Sequence, residues 1–349
     1  MRESRYRDFS LKTHKINQSM QRPNTCQFEL TFGCGLHCKY CYTDCYNRPD
    51  YLKKELDTNQ IKSALDKVYQ AGAFWLCFTG GDPLTRPDFM DIYSYAREKG
   101  FIITLFTNAY SMNKEIAGYL KQRPPFVIEI TLNALSQGLY EKISQVKGSF
   151  KKTMAGLKLI LKQGLPLKIK TQIMKDNLKE LPRIKKFISS LGLEFRPDFT
   201  LHARLNGDSA PCDLRISPRQ ARELNGSGRV GSSCPGALPA KANSRGDFLF
   251  HCAAGGDDIH IDPCGNIFLC NLVRNPSFNI FKTDIAQALN KLYLLARESK
   301  FSADSECNNC SLRQFCDWCP GKAYLEAGDM QAPIEYYCEL TKTMVGDNG

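Results

Sequence analysis

No stretch of the 349 residues reaches the roughly 18 to 20 apolar residues that a membrane-spanning helix needs. The opening ten, MRESRYRDFS, are charged and polar where a secretory signal has an apolar core, so a reducing cytoplasm is the expected compartment. Runs of five or more like charges are missing too. The net charge of +11, from 47 Lys and Arg against 36 Asp and Glu, would suit an anionic partner, but without such runs a solvated surface explains it better than a nucleic-acid-binding face. His14, His37, His202, His251 and His260 are scattered, with no two at helical ligand spacing. What remains, 42% hydrophobic and 24% charged, fits a globular chain with one large or two modest cores and excludes disorder or a disulfide mini-protein. Sixteen cysteines are then the anomaly: in a reduced compartment they do not staple a fold, and their density reads as metal or redox ligands.

From residue 26 to about 200, β-rich runs alternate with helical stripes. The predicted strands are 27–32, 74–79, 101–107, 126–132, 167–174 and 193–199, and the stripes include Ile61, Leu65, Val68 and Tyr69, then Phe150, Met154, Leu157 and Leu161. Six strands separated by helices imply a parallel sheet, whose chemistry belongs at the carboxyl ends of its strands. Glycines and prolines crowd 225–241, which reads as a linker or long loop. Three regions are therefore expected: an amino-terminal extension (1–25), an α/β sheet region (26–234, with the loop 200–234) and a cysteine-rich region (235–349) where periodicity fades apart from a helix-like run at 283–299.

Directly after the first strand, Cys34, Cys38 and Cys41 are spaced C-x3-C-x2-C. Three thiolates on one tight loop can hold three corners of a [4Fe–4S] cube and leave the fourth iron open. Cys45 is a possible fourth ligand, and zinc the alternative metal, although zinc prefers paired C-x2-C knuckles. With Tyr40 just before the third cysteine, the loop resembles that of the radical S-adenosylmethionine enzymes. The resemblance continues in Gly80-Gly81-Asp82-Pro83 after strand two, where the family usually has Glu in place of Asp82, and in Thr107-Asn108-Ala109 after strand three. It implies a partial six-stranded (β/α)6 barrel and a cluster whose open iron binds S-adenosyl-L-methionine. It also implies that Gly80, Gly81 and Asp82 face the methionine moiety, and that Thr131, Asn133 and Thr171 lie near the ribose and carboxylate.

A second pattern follows: Cys252, then Gly265 and Cys270 as G-x4-C, then Cys307, Cys310, Cys316 and Cys319 as C-x2-C-x5-C-x2-C, and Cys338. It resembles the SPASM extension, which carries two auxiliary [4Fe–4S] clusters, with one residue fewer than usual between the last two of the four grouped cysteines. The resemblance implies an outer cluster on Cys307, Cys310, Cys316 and Cys338 and an inner one on Cys252, Cys270 and Cys319. Cys264 or Cys234 would complete the inner cluster, or its fourth iron stays open. Three cubes in all are expected. Cys26, Cys77 and Cys212 fit no ligand spacing.

Relatives of this subset mostly modify peptides or proteins, and others oxidise tetrapyrroles or aminocyclitols. The sulfatase-maturing branch has an Asp immediately after the G-x4-C cysteine; here Asn271 stands there, and an amide cannot accept that proton. The expected activity is oxidative modification of a peptide or protein, with a small-molecule oxidation as the alternative, and a flavodoxin or ferredoxin as the reducing partner. Only about 25 residues precede the first strand, so leader recognition would fall to a separate protein or to the barrel surface. The loop 195–208 is the expected substrate-facing segment, with Asp198, His202 and Arg204 as its polar contacts. From another class, the rival is a zinc protein that binds nucleic acid through its positive charge.

Overall fold

The computed structural model describes residues 6–20, 22–225, 246–250 and 257–345. Six parallel strands form in chain order: β1 (Thr25–Thr31), β2 (Trp75–Gly80), β3 (Ile102–Thr107), β4 (Val127–Thr131), β5 (Leu167–Gln172) and β6 (Phe195–Asp198), each hydrogen-bonded to the next. Helices cover one face. The helix Thr58–Gln70 starts at a reciprocal cap, in which Asp57 accepts from the Gln60 backbone and Gln60 from that of Asp57, worth about 1 kcal/mol. It buries Ile61, Ala64, Leu65 and Val68 against the sheet, while Tyr69, the fourth member of the expected stripe, is exposed. Along Ser149–Lys162 the buried line is Thr153, Gly156, Leu157 and Ile160. The expected Phe150, Met154 and Leu161 ride on its shoulder, because Gly156 lets the helix axis close onto the Ala109 carbonyl, where a Cβ would come within 2.1 Å.

Three further strands continue the sheet past β1: β7 (Asp258–Ile261) runs parallel to it, and β8 (Asn266–Phe268) and β9 (Phe278–Asn279) are antiparallel. The order is β6-β5-β4-β3-β2-β1-β7-β8-β9. With four, three and two residues, these strands are too short to show a period in the sequence. The expected boundary near 235 lies outside the described residues. Beyond it the chain first returns to the sheet and only then forms the helix Ile285–Glu298, the cysteine-rich turns and the helices Pro320–Ala327 and Glu335–Val345. The last of these packs on the helix Pro218–Asn225. At the other end, the helix Tyr6–Ser19 lies within the amino-terminal extension and is docked by Phe9 against Trp75 and by His14, stacked on Trp75 and paired with the Asp257 carboxylate.

The two faces of the sheet differ in kind. Phe28, Leu30, Leu76, Phe78, Ile103, Leu105, Ile128, Ile130 and Ile169 form the helix-covered core, each worth roughly 1.5–3 kcal/mol on full burial. Alternation sends Glu29, Thr79, Thr104, Glu129, Thr131, Lys168, Lys170 and Arg196 to the opposite face. Register then places Glu129 beside Lys168, Thr131 beside Lys170 and Lys170 beside Arg196, with an Arg196–Glu129 ion pair at 3.3 Å. A parallel sheet filled on both sides would be apolar throughout. This one keeps a polar inner face.

Candidate active site

The loop after β1 is held from four directions. Asn47 accepts from the Cys34 backbone N–H and donates to the Cys34 and Leu36 carbonyls. The Glu55 carboxylate takes the Thr31 hydroxyl and the Phe32 N–H. The backbone N–H groups of His37 and Lys39 donate to the carbonyls of Ser144 and Ile143 at the end of the helix Gln137–Ser144. Arg204, expected to contact substrate, spreads its guanidinium onto the Lys39 and Cys41 carbonyls and pairs with Asp44 and Asp208. Nothing in the local sequence marks Asn47 or Glu55, and Arg204 lies more than 160 positions from the carbonyls it holds.

Cys34, Cys38 and Cys41 sit on this loop, half-buried and near enough to act on one another through their charges. Burial pushes the Cys34 and Cys38 thiols up first, and neighbouring charge adds to it: Asp82, Cys38 and Cys41 on Cys34, and Cys41 on Cys38. Buried thiols of this kind give up their protons on taking metal. Asn108 Nδ2 donates to Cys34 Sγ at 3.2 Å, and the Thr43 hydroxyl lies 3.3 Å from Cys41 Sγ. The Cys45 thiol instead donates to the Tyr42 carbonyl beside Arg204. The donor set is therefore three soft sulfurs with polar second partners, which suits an iron–sulfur cube with one open corner. Among the described residues, no three His, Cys, Asp or Glu side chains converge as ligands of a single ion would.

Beside Cys38 opens a recess lined by Tyr40, Asn108, Thr131, Asn133 and Tyr140, so four of the residues singled out for S-adenosylmethionine come together. The others play different parts. Gly80 and Gly81 close onto the end of β1, with Gly81 N–H on the Thr31 carbonyl, and a Cβ on Gly81 would stand 2.2 Å from the Gly33 carbonyl oxygen. Their missing side chains make room for the cysteine loop. Asp82 is fully buried and accepts from the Leu84 N–H, the Thr107 hydroxyl and the Asn108 N–H. Its carboxylate, expected to meet an amine, thus organises the turn that carries Asn108. Thr171, also fully buried, donates to the Leu132 carbonyl and does not line the recess.

Past β6, Asp198 pairs with Lys170 and caps Thr200, while His202 lies edge-on to Tyr42, its Nδ1–H donating to the Ala203 carbonyl. Burial, with the Lys322 and Arg215 cations nearby, pushes the His202 imidazole down to about 4, so it is neutral at pH 7. Farther on, the Cys307 thiol is pushed up to about 11, by burial first and then by Cys338, Cys316 and Cys310 around it. Those four are therefore neighbours. Cys319 opens the helix Pro320–Ala327 and accepts the Lys322 N–H at 3.4 Å, and Cys270 bridges to Val273 close to Tyr42. Cys264 stands in the β7–β8 turn beside Asp262 and Glu55. Cys234 and Cys252 lie outside the described residues. Cys26 and Cys77 are buried in the sheet, and Cys212 is half-buried.

A model of the radical SAM superfamily matches residues 28–188. The chain is 23% identical over 342 residues to an AdoMet-dependent heme synthase of Methanosarcina barkeri, covering 90% of this chain and 96% of that protein. It is 26% identical over 156 residues to a PqqA peptide cyclase of Bradyrhizobium diazoefficiens, covering 45% and 40%. Among solved structures, Streptococcus suis SuiB bound to its precursor peptide SuiA shares the fold at a TM-score of 0.70 and 16% identity, over 96% of this chain and 80% of that one. The matched segment runs from within β1 to the helix after β5 and takes in the three-cysteine loop and the turns after β2 and β3, so residues 28–188 form a radical SAM domain, and a cysteine-rich region follows it towards the carboxyl end.

Proposed function

We propose that this protein cleaves S-adenosyl-L-methionine reductively at the Cys34–Cys38–Cys41 loop and oxidatively modifies a peptide or protein seated on the polar inner face of the sheet. The observation that carries the first part is the recess where Cys38, Tyr40, Asn108, Thr131 and Asn133 meet beside the three thiols. Cys34, Cys38 and Cys41 would hold a [4Fe–4S] cluster there, which would supply the electron for reductive cleavage of S-adenosylmethionine and so the chemistry of hydrogen abstraction from a substrate. The chain supplies position. Asp82 fixes the Asn108 N–H, the Asn108 amide is aimed at the Cys34 sulfur, and Arg204 ties down the carbonyls of the loop. Tyr40 and Tyr140 wall the recess against water.

The inner-face cations Lys168, Lys170 and Arg196, interspersed with Glu129 and Asp198, suit a substrate with charged and amide groups. The grouping of Cys307, Cys310, Cys316 and Cys338 supports an outer auxiliary cluster, with Cys270, Cys319 and Cys252 for an inner one. Two such clusters would take up the electron of a net two-electron oxidation. The reading fits a reducing cytoplasm, a flavodoxin or ferredoxin as donor and, for a peptide, a separate leader-binding protein. A second reading, oxidation of a carboxylate-bearing tetrapyrrole, is favoured by the similarity along nearly the whole chain to an AdoMet-dependent heme synthase.

Anaerobic reconstitution tests both. About twelve irons per chain and reductant-dependent 5′-deoxyadenosine are expected, with the nucleoside lost in Cys34→Ala, Cys38→Ala and Cys41→Ala and kept in Cys45→Ala. Full cleavage in any of the first three overturns the assignment. Conversion of an iron–coproporphyrin, with no conversion of cysteine-rich peptides encoded beside the gene, would replace the peptide by the tetrapyrrole.

A further inference from the structure

Reductive cleavage at the three-cysteine loop needs an electron that the amino-acid chain does not itself supply, so a reduced carrier must approach that loop from the surface. At Tyr110 the fold provides a place for it. The half-buried ring of Tyr110, just past β3, lies so close on Gly35, the residue after Cys34, that a Cβ there would come within 2.6 Å of two ring carbons. The Tyr110 N–H donates to Asn108 Oδ1 at 2.8 Å, and Asn108 Nδ2 donates to Cys34 Sγ at 3.2 Å. One packing contact and two hydrogen bonds thus join an accessible ring to a loop cysteine. Because electron transfer between protein-bound centres falls steeply with distance, so short a bonded route favours entry here.

The surface beside this ring is basic. Exposed Lys152 donates to the Tyr110 hydroxyl at 3.1 Å and stands 4.6 Å from the ring centroid. Lys147 and Lys151 are exposed too, and among the described residues none of these three lysines forms an ion pair with a carboxylate. They gather at the start of the helix Ser149–Lys162, which has no acid in its first turn. A helix amino terminus disfavours cations, so the cluster of lysines is kept there against local electrostatics, and terminus and ammonium groups together attract an anionic surface. Ser149 ties this helix start to Ser144, whose carbonyl takes the His37 N–H of the cysteine loop. Nearby acids do not cancel the field: Asp44 is held by Arg204 and His37, Asp176 by Lys142 and Lys39, and Glu141 is half-buried. Exposed Cys310 offers no equivalent, since its group of thiols feels the Glu306 carboxylate, which repels an acidic protein.

We infer that the face centred on Tyr110 and edged by Lys147, Lys151 and Lys152 is where an acidic one-electron carrier protein docks to reduce the centre at the three-cysteine loop. This docking presupposes the reductive cleavage proposed above. One electron leaves the carrier and one arrives at the loop, with no bond made or broken in the transfer. Attraction between the two surfaces speeds encounter and is screened by salt.

The test uses full-length reconstituted protein with a flavodoxin as the acidic carrier. Wild type is compared with Lys147→Glu/Lys151→Glu/Lys152→Glu and with a control of equal charge change, Lys12→Glu/Lys15→Glu/Arg22→Glu. The control residues lie in or just after the helix Tyr6–Ser19, which docks on Trp75 at the amino end of β2. Binding is read by isothermal titration calorimetry at low and high salt, and 5′-deoxyadenosine is measured with flavodoxin or with dithionite as reductant. At low salt the loop-face variant should bind flavodoxin at least about tenfold more weakly and lose most of the salt dependence. Its flavodoxin-driven cleavage should slow while its dithionite-driven cleavage stays at the wild-type rate, and the control should match the wild type throughout. Equal weakening in the two variants would reduce the effect to net charge and overturn the inference. Unchanged binding in the loop-face variant, equal slowing with both reductants, or a wild type that flavodoxin does not bind would overturn it as well. A wild type that dithionite cannot drive would instead refute the cleavage reading and take this docking face with it, so the two failures are told apart.

Discussion

At Asp82 one methylene decides what the carboxylate can reach. The shorter side chain turns inward to the Leu84 N–H, the Thr107 hydroxyl and the Asn108 N–H, and burial pushes its pKa up to about 6 although all of these hydrogen bonds pull the other way. Changing Asp82 to Asn points an N–H₂ at groups that only donate there, so unfolding stability should fall by about 1–3 kcal/mol, read from urea midpoints. The folded-state pKa exceeds the ordinary value of 3.8, so this carboxyl contributes most below about pH 4 and loses that contribution as pH rises through 6. The gap between wild type and Asp82→Asn should accordingly be wider at pH 5 than at pH 7.5, and a gap independent of pH would show the carboxyl to be unburied. His202 illustrates the same physics with the opposite sign of charge: burial keeps it a neutral imidazole whose Nε2 is left as an acceptor.

Two glycines on covering helices separate crowding from propensity. Gly156 in Ser149–Lys162 faces the Ala109 carbonyl, whereas a Cβ on Gly118 in Lys114–Gln122 would meet nothing within 4 Å. Gly156→Ala should destabilise by about 1–3 kcal/mol, because the helix must lift off the turn that carries Asn108. Gly118→Ala should stabilise by roughly 0.5–1 kcal/mol through helix propensity alone. Thermal denaturation of both variants checks this, and equal shifts would mean that the close approach at Gly156 is not formed. The same turn-level reasoning explains Gly80 and Gly81, whose bare Cα atoms let the Asp82 turn nest on the end of β1.

Across the whole molecule, the carboxyl-terminal region is joined to the barrel by buried ion pairs and hydrogen bonds as well as by β7. Arg274 holds Glu29 of β1 at 2.6 Å with its guanidinium over the Phe268 ring, Arg215 holds Glu326, and the Tyr337 hydroxyl donates to the Leu201 carbonyl. Removing one partner leaves the other charge buried, so Glu29→Gln should cost about 3–5 kcal/mol, while Glu29→Leu combined with Arg274→Met should recover most of the loss. Hydrogen exchange over 258–281 should rise in the single variant and return in the double. No recovery in the double variant would locate the cost in packing and not in the unpaired charge.

The spacing of Cys34, Cys38 and Cys41, the six strand-forming runs and the turns after β2 and β3 were legible because each is local: ligand spacing, a hydrophobic run and a glycine pair are written in consecutive residues. The sheet class and the position of the three-cysteine loop followed from them. What the sequence could not carry was long-range. That Arg204 clamps the cysteine loop, that Asp82 is sealed beneath Asn108, and that residues 258–279 extend the sheet beside β1 depend on groups brought together from distant positions.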